Sequence, residues 1–581
     1  MYETAMSNIN GKWQQENTYD AIVIGSGISG GWAAKELTEK GLKTLVLERG
    51  RMVKHITDYP TMNFNPWDLK YRDKVPPEEV EKHYQKQNRT GYTVRQGWKH
   101  WFVKDDEFPY TEVSRFDWIR GYHVGGRSIV WGRQSYRLSD LDFEANAKEG
   151  IGVDWPIRYK DIAPWYDYVE EFIGVSGQNE GLPQLPDGKF QPPMEMNCVE
   201  LDVKEKVEAK FKDRKITIGR TAHLTSPTDL QKKLGRGKCQ FRNLCMRGCP
   251  YGGYFSSNAA TLKAAELTGN MTLRPNSIVH SIIYDPETKK AKGVRIMDAE
   301  TRQEMEFYSK IIFVNASALN TTWILFNSAN EQFPTGLGNS SDQLGRNVMD
   351  HHFKVGASGV SEGFEDRYYS GRRANGIYIP RFRNLGDAAT RKKEFLRGYG
   401  YQGGASREGW SRLVAELGFG KGFKETLREP GQWRMGITAF GEMLPHPDNR
   451  VTLNKDVLDK YGMPTLTMDV KLRENELNMR KDMQEAAIEI LEAAGLKDVH
   501  GYEADYAPGL GIHEMGTARM GRDPKTSVLN EWNQMHDVKN IFITDGACMT
   551  SAACQNPSLT YMALTARAAN YAVEELKKRN L

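Results

Sequence analysis

Residues 19–24 (YDAIVI) form a short apolar run of the length of a buried strand. Residues 29–40 carry helix formers with apolar side chains on one side, and Gly41 ends that segment. Residues 43–47 (KTLVL) are a second apolar run closing at Glu48, so 19–50 is predicted as one β-α-β unit of a parallel sheet. From Arg51 to about Arg120 the pattern weakens into aromatic, proline-bearing and charged sequence, which predicts an excursion from the sheet. Strand alternation returns at 277–296, as two antiparallel strands with a turn near 285–290, and again at 311–315. Residues 350–502 read as a polar and aromatic block ending in a helix over 474–494. Residues 540–544 (NIFIT) return to strand, and a last helix runs over about 558–578, its basic end suited to the negative pole of the helix dipole.

The chain has 581 residues, 39% hydrophobic and 27% charged, enough to bury a large core and unlike a disordered chain. A net charge of +4 and a pI of 8.4 lack the basic excess of a nucleic-acid binder, so nucleic acid is not an expected partner. No run approaches eighteen apolar residues and the mean hydropathy is −0.62, so no membrane span is expected. Residues 1–19 lack the charged, apolar and small-residue regions of a signal peptide, which predicts that the chain does not export itself by that route. Six cysteines are too sparse for a disulfide scaffold, and Cys239, Cys245 and Cys249 crowd into one segment, which suggests metal.

The turn after the first strand is Gly25-Ser26-Gly27-Ile28-Ser29-Gly30, a G-x-G-x-x-G between strand and helix. Its glycines permit the tight turn, the close approach of a pyrophosphate and close helix-on-sheet packing, and the helix N-terminus offers amides to the anion. Glu48, with its neighbour Arg49, ends the second strand where an acidic residue would bond a ribose hydroxyl. A glycine turn binding nothing is the plain alternative, and the complete β-α-β context argues against it. The motif by itself separates neither NAD from FAD nor one reaction from another.

Residues 238–255 read KCQFRNLCMRGCPYGGYF, with five residues between Cys239 and Cys245 and three between Cys245 and Cys249. Thiolates so close, with Gly and Pro shaping the loop and Pro250 directly after the last, suit an iron–sulfur cluster, and three ligands suit a three-iron cluster better than a cubane. Zinc would need a fourth ligand, from Cys198 or His223, and unliganded thiols are the third reading. Cys548 and Cys554 read as buried filler.

Two distant segments add to this: 121–143 (GYHVGGRSIVWGRQSYRLSDLDF) and 513–569, with His513-Glu-Met-Gly-Thr-Ala-Arg-Met-Gly521 and Asn556-Pro557 as their most specific parts. With the N-terminal unit they resemble the glucose-methanol-choline family of FAD-dependent oxidoreductases. The resemblance implies an α/β (α+β overall) fold. A Rossmann-like FAD domain would draw on 18–50, 115–140, 225–350 and 505–581. An interleaved substrate domain on an antiparallel sheet would draw on 51–114, 141–224 and 351–504. It implies Gly125, Gly126, Ser128, Trp131 and Gly132 near the flavin diphosphate and ring, Val279 near the adenine, and Asp545-Gly546 near the diphosphate. Some sugar-oxidising relatives attach flavin through a His before this Trp. Here Val130 stands there, so non-covalent FAD is expected.

Oxidising an alcohol by hydride transfer needs a base for the hydroxyl proton and a second polar group on the oxygen. By the resemblance these are His513 and Asn556, while His100, His123, His351 and His352 read as structural. The cysteine spacing is similar to that of the large subunits of bacterial glucose, gluconate and glucoside 3-dehydrogenases, whose three cysteines hold a [3Fe-4S] cluster. The implied function is a sugar dehydrogenase oxidising a secondary ring hydroxyl, C3 of a glucoside, and passing electrons through the cluster to an external acceptor. The alternatives are C1 of glucose or C2 of gluconate, an oxygen-using oxidase, and a non-catalytic electron-transfer subunit, which would lack His513 or Asn556. Implied partners are a carbohydrate, a small subunit for export and assembly, and cytochrome c or another acceptor. The implied location is periplasmic by co-export, with the cytoplasm as the alternative.

Overall fold

The computed structural model describes residues 17–368, 374–409, 420–426, 428 and 430–581, so the expectation about a leader falls almost wholly outside the described residues. The predicted β-α-β unit is present as strand Thr18–Ile24, helix Ile28–Glu39 and strand Thr44–Leu47. The two strands pair in parallel from Ala21 with Thr44 to Ile24 with Leu47. Their run of Ala, Ile, Val and Leu is buried without alternation, as a sheet covered on both faces requires.

This unit belongs to a seven-stranded sheet in which Glu304–Val314 is the hinge of the topology. One edge of that strand pairs in parallel with Thr18–Ile24. Its other edge pairs antiparallel with Lys290–Asp298 over its first half and parallel with Ile541–Phe542 near its end. The hairpin expected over 277–296 is Ser277–Asp285 and Lys290–Asp298, closed at Asp285 and Lys290. The final helix, Ser558–Lys577, lies on the first: Ala33, Ala34 and Leu37 share one buried cluster with Ala568, Ala569 and Ala572. Small side chains on the second helix let the two approach closely.

A second sheet has six strands, all antiparallel, in the order Lys497–Glu503, His351–Ser361, Trp433–Glu442, Tyr399–Arg407, Ile377–Ile379, Thr217–Ile218. Most of it lies in the stretch read from sequence as a polar and aromatic block. Along Trp433–Glu442 the side chains of Trp433, Met435, Ile437 and Ala439 point inward and their neighbours do not, the alternation of a half-covered strand. The covering element is helix Glu474–Ala493, whose Met479, Met483, Ala487 and Ile490 are buried in one cluster with Val355, Ala357 and Ile437. A small third sheet joins Arg450–Leu458, Pro464–Asp469 and Thr111–Glu112.

The fold is thus mixed α/β, a Rossmann-like sheet beside an antiparallel one. Residues 51–120 leave the first sheet as expected, in short turns, one short helix, Pro77–His83, and the strand Thr111–Glu112 of the third sheet. Tyr59, Trp101, Phe102, Ile119 and Ile129 form a small buried cluster against which Met246 of the cysteine loop packs. Among the described residues no helix is long and apolar enough to cross a membrane.

Candidate active site

A cavity of about 380 Å³ runs from the glycine turn at the first sheet to the inner edge of the second. Gly25, Ser26, Gly27 and Ser29 form one wall. Two glycines explain the motif physically. A Cβ on Gly30 would stand 1.9 Å from the carbonyl oxygen of Gly25, so only glycine lets the helix start there, while a Cβ on Gly27 would meet nothing within 4 Å and its backbone is open to a ligand. Glu48 is buried: its Oε2 accepts from Ser26 Oγ at 2.6 Å and its Oε1 from the Gly50 N–H at 3.0 Å. Burial pushes its carboxyl up against those bonds. Arg49 stacks its guanidinium 4.0 Å from the Tyr122 ring centre.

The segment after residue 120 ties this wall together. The Gly125 N–H donates to Ser26 Oγ at 2.9 Å, and Ser128 Oγ donates to the Gly125 carbonyl at 2.5 Å. Gly126, Ser128, Trp131 and Gly132 line the cavity, as do Val279, Asp545 and Gly546. Asp545 accepts from Thr321 Oγ1 at 2.6 Å and from the Ala547 N–H at 3.0 Å, and burial pushes its carboxyl up to about 6. Gly30, Gly125 and Pro557 stand behind the wall. An elongated, glycine-walled cavity leading from a helix N-terminus, with an acidic side chain at the end of the second strand, fits a dinucleotide.

His513 and Asn556 share the far end of the same cavity. Asn556 Oδ1 accepts from Gln402 Nε2 at 2.6 Å, so its own Nδ2 keeps its protons for a ligand. His513 Nδ1 lies 2.8 Å from His351 Nδ1, and the His513 backbone N–H donates to Asp350 Oδ1 at 3.1 Å. The Asp350 carboxylate also accepts from the backbone N–H groups of Gly509 and Gly511, fixing the loop that carries His513. Burial first, then His351 and Arg127, holds His513 well below its ordinary value. The imidazole is neutral and available as a base. A reaction that used it as base is therefore expected to show no ionisation near the ordinary histidine value of about 6.5. Stopped-flow flavin reduction measured across the range of roughly pH 5–8 checks this, and an ionisation near that value that disappears in His513→Asn would contradict it.

Sequence reasoning took His351 for a structural histidine, and it is buried and bonded through both ring nitrogens; what that reading missed is that one of its partners is His513. Gln402 and the Arg127–Glu514 ion pair at 2.8 Å were missed as well. The acidic and imidazole side chains of Asp350-His351-His352, opening a buried strand, were the available signal, because buried polar groups require partners. His100, His123 and His352 are depressed by burial and stay apart from His513 and Asn556.

The three cysteines are neighbours beside the cavity, each half-buried. Burial raises the Cys239 thiol, and the thiols of Cys245 and Cys249 add to the rise. Met246 and Arg133 separate them from the cavity, both lining its wall. Cys245 Sγ lies 3.8 Å from His223 Nε2, and the Gly253 N–H donates to Cys249 Sγ at 3.4 Å. Two arginines bear on this loop without ion-pair partners among the described residues. Arg236 Nη2 and the Nε and Nη1 of Arg133 are buried and unpartnered. Buried positive charge with no counter-charge is costly, so these two side chains would be stabilised by an anionic neighbour. Among the described residues no group of three or more His, Cys, Asp or Glu side chains is placed to hold a metal ion, so the thiols as they stand do not form the expected three-cysteine site. Cys548 and Cys554 are fully buried, with thiols raised by burial.

Two family models, both described as GMC oxidoreductase, match residues 19–353 and 445–565. The fructose dehydrogenase large subunit of Gluconobacter japonicus is 27% identical over 96% of this chain and 98% of its own length. The 2-methyl-1,2-propanediol dehydrogenase of Mycolicibacterium austroafricanum is 26% identical over 95% of this chain and 94% of its own. Among solved structures, pyridoxine 4-oxidase from Mesorbium loti superposes with a TM-score of 0.59 at 15% identity, covering 96% of this chain and 99% of the other.

Proposed function

Because the chain belongs to the GMC oxidoreductase family, FAD-binding enzymes that act on CH–OH groups, we propose that it is a sugar dehydrogenase oxidising a secondary ring hydroxyl, C3 of a glucoside, to the ketone. The observation that supports this reading most is that a neutral, half-buried His513 and Asn556 line the same cavity as the glycine turn. A hydroxyl group needs an acceptor for its proton and a donor for its oxygen, and these two side chains offer one of each.

FAD, when bound, supplies the two-electron hydride acceptor. Gly25 to Gly30, Ser128, Asp545 and Gly546 would hold it, and Val130 before Trp131 leaves it without a covalent link. His513 takes the hydroxyl proton from the substrate. Asn556 Nδ2 holds the same oxygen, and Gln402 keeps that amide from turning over. Phe353 and Phe440, stacked with ring centres 5.1 Å apart, line the cavity and help exclude water from the reacting end. The Arg127–Glu514 ion pair braces the loop from beside His513.

Cys239, Cys245 and Cys249 would hold a [3Fe-4S] cluster, a one-electron centre that suits an acceptor other than oxygen. Arg133 and Arg236 support this reading as its counter-charges. The proposed partners are a cytochrome c or other electron acceptor and a small subunit that brings the protein to the periplasm. The similarity to a fructose dehydrogenase large subunit favours, as second reading, a different ring hydroxyl on a sugar handled by the same machinery.

Anaerobically purified protein should show FAD absorption, about three iron atoms per chain and a cluster signal in electron paramagnetic resonance. Methyl glucoside should bleach the flavin bands and change the iron signal. Bleaching with no iron would remove the cluster and leave a simple flavin alcohol dehydrogenase or oxidase. Iron and flavin that ignore methyl glucoside but respond to fructose, glucose or gluconate would replace the substrate assignment.

A further inference from the structure

We propose that His351 is a positioning residue that sets the tautomer of His513, forcing its proton onto Nδ1 and leaving Nε2 as the bare base. This rests on the reading of His513 as the base. The hydrogen-bond polarity follows from a carbonyl group. His351 Nε2 lies 2.9 Å from the carbonyl oxygen of Ala553. A carbonyl oxygen only accepts, so His351 Nε2 carries a proton. His351 is fully buried, and burial holds it down at about 4, so it is neutral. Its one proton being on Nε2, its Nδ1 is an acceptor. His513 Nδ1 lies 2.8 Å from that lone pair and has to donate, since two bare nitrogens at this distance repel. His513 is neutral as well, so its Nε2 is left without a proton, and among the described residues no hydrogen bond engages it.

The carbonyl that starts this chain is itself held in place. Ala553 adopts a left-handed φ of +57°, a conformation that a non-glycine residue occupies only when its surroundings impose it. The turn 552–556 thus aims one carbonyl at His351 and presents Asn556 to the cavity. The proton held on His513 Nδ1 has a further effect. When Nε2 takes the substrate proton, the new imidazolium already donates to His351, and no rearrangement is needed during the reaction.

The test is a direct reading of the tautomer in the FAD-loaded, full-length protein with histidine labelled in 15N, His513 being assigned by the signal lost in His513→Asn. His513 is expected as the Nδ1–H form in the wild type. In His351→Asn, whose side-chain oxygen reaches about the place of the imidazole Nδ1, the Nδ1–H form should persist. In His351→Leu it should give way to the Nε2–H form or a mixture. The rate at which methyl glucoside bleaches the flavin should fall about 100-fold in His351→Leu and stay within about tenfold in His351→Asn, with FAD content equal. An Nε2–H wild type, or a tautomer unmoved by His351→Leu, overturns the proposal. Should His351→Leu fail to fold, the wild-type and His351→Asn spectra still decide it. If methyl glucoside bleaches nothing in the wild type while the tautomer behaves as stated, the substrate reading fails and the role of His351 stands.

Discussion

Alanine at position 513 is expected to slow flavin reduction by substrate about 10²–10⁴-fold, the usual contribution of a positioned general base. FAD should stay bound, because the His513 imidazole lies at the end of the cavity away from the glycine turn and holds no part of that turn. The loss should exceed that of His351→Leu, since the latter misdirects the base and the former removes it. It should appear in the chemical step, so the limiting reduction rate falls and the substrate concentration for half-saturation changes little. Asn556 still holds the substrate oxygen in the variant and accounts for residual activity. Stopped-flow reduction of purified holoenzyme under anaerobic conditions makes the measurement. A variant reducing within about threefold of the wild type would remove His513 from its assigned role.

The second large effect is structural. Gly30→Ala should yield protein with little or no FAD and a clearly lowered Tm, because the added methyl would sit 1.9 Å from the Gly25 carbonyl oxygen. Backbone cannot swing aside as a flexible side chain does, so the helix start must move, and with it the N–H groups that face the cavity. Overpacking of a core commonly costs about 1–3 kcal/mol, and a clash with backbone lies at or beyond the upper end. Gly27→Ala is the control: its Cβ would meet no protein atom within 4 Å. Compared as apoprotein, so that bound FAD does not itself raise the Tm, it should fold with an unchanged Tm and lose FAD affinity alone. Tm by calorimetry and the flavin-to-protein absorbance ratio separate the two. Equal Tm values for both variants would contradict the packing argument.

The contrast between what was legible in the sequence and what was not follows from the range of the interactions. Helix 28–39, the strands beside it, the hairpin 277–298 and the final helix each follow from a local pattern: continuous apolar runs, a turn, a one-sided helix. The strands of the six-stranded sheet were not legible in the pattern, the antiparallel sheet being expected through the resemblance alone, although Trp433 to Ala439 alternate cleanly. Its neighbours Tyr399–Arg407 and His351–Ser361 are rich in Gly, Ser and polar residues, which blunts their period. The glycine turn, and His513 and Asn556, which line the same cavity, could be singled out because motifs are local or carry a family pattern. His351 was missed because a histidine's role depends on what lies across from it, here a loop 162 positions away. Gln402, which meets Asn556 at a separation of 154, was invisible for the same reason.

The first strand, Thr18–Ile24, pairs with a strand made roughly half a chain later, and that strand in turn takes Ile541–Phe542 as a neighbour. A ribosome adds roughly 5–20 residues per second, so the earliest apolar strands wait on the order of tens of seconds for their partner. Throughout that interval they are unpaired edges rich in Ala, Ile, Val and Leu, the composition most prone to association with other nascent chains. Asp545 and Gly546, which complete the cavity wall, and the helix that packs over its first turn are made last of all. The cavity wall is thus complete only once residues 545–546 are made, so FAD capture is expected to follow their synthesis rather than that of the glycine turn.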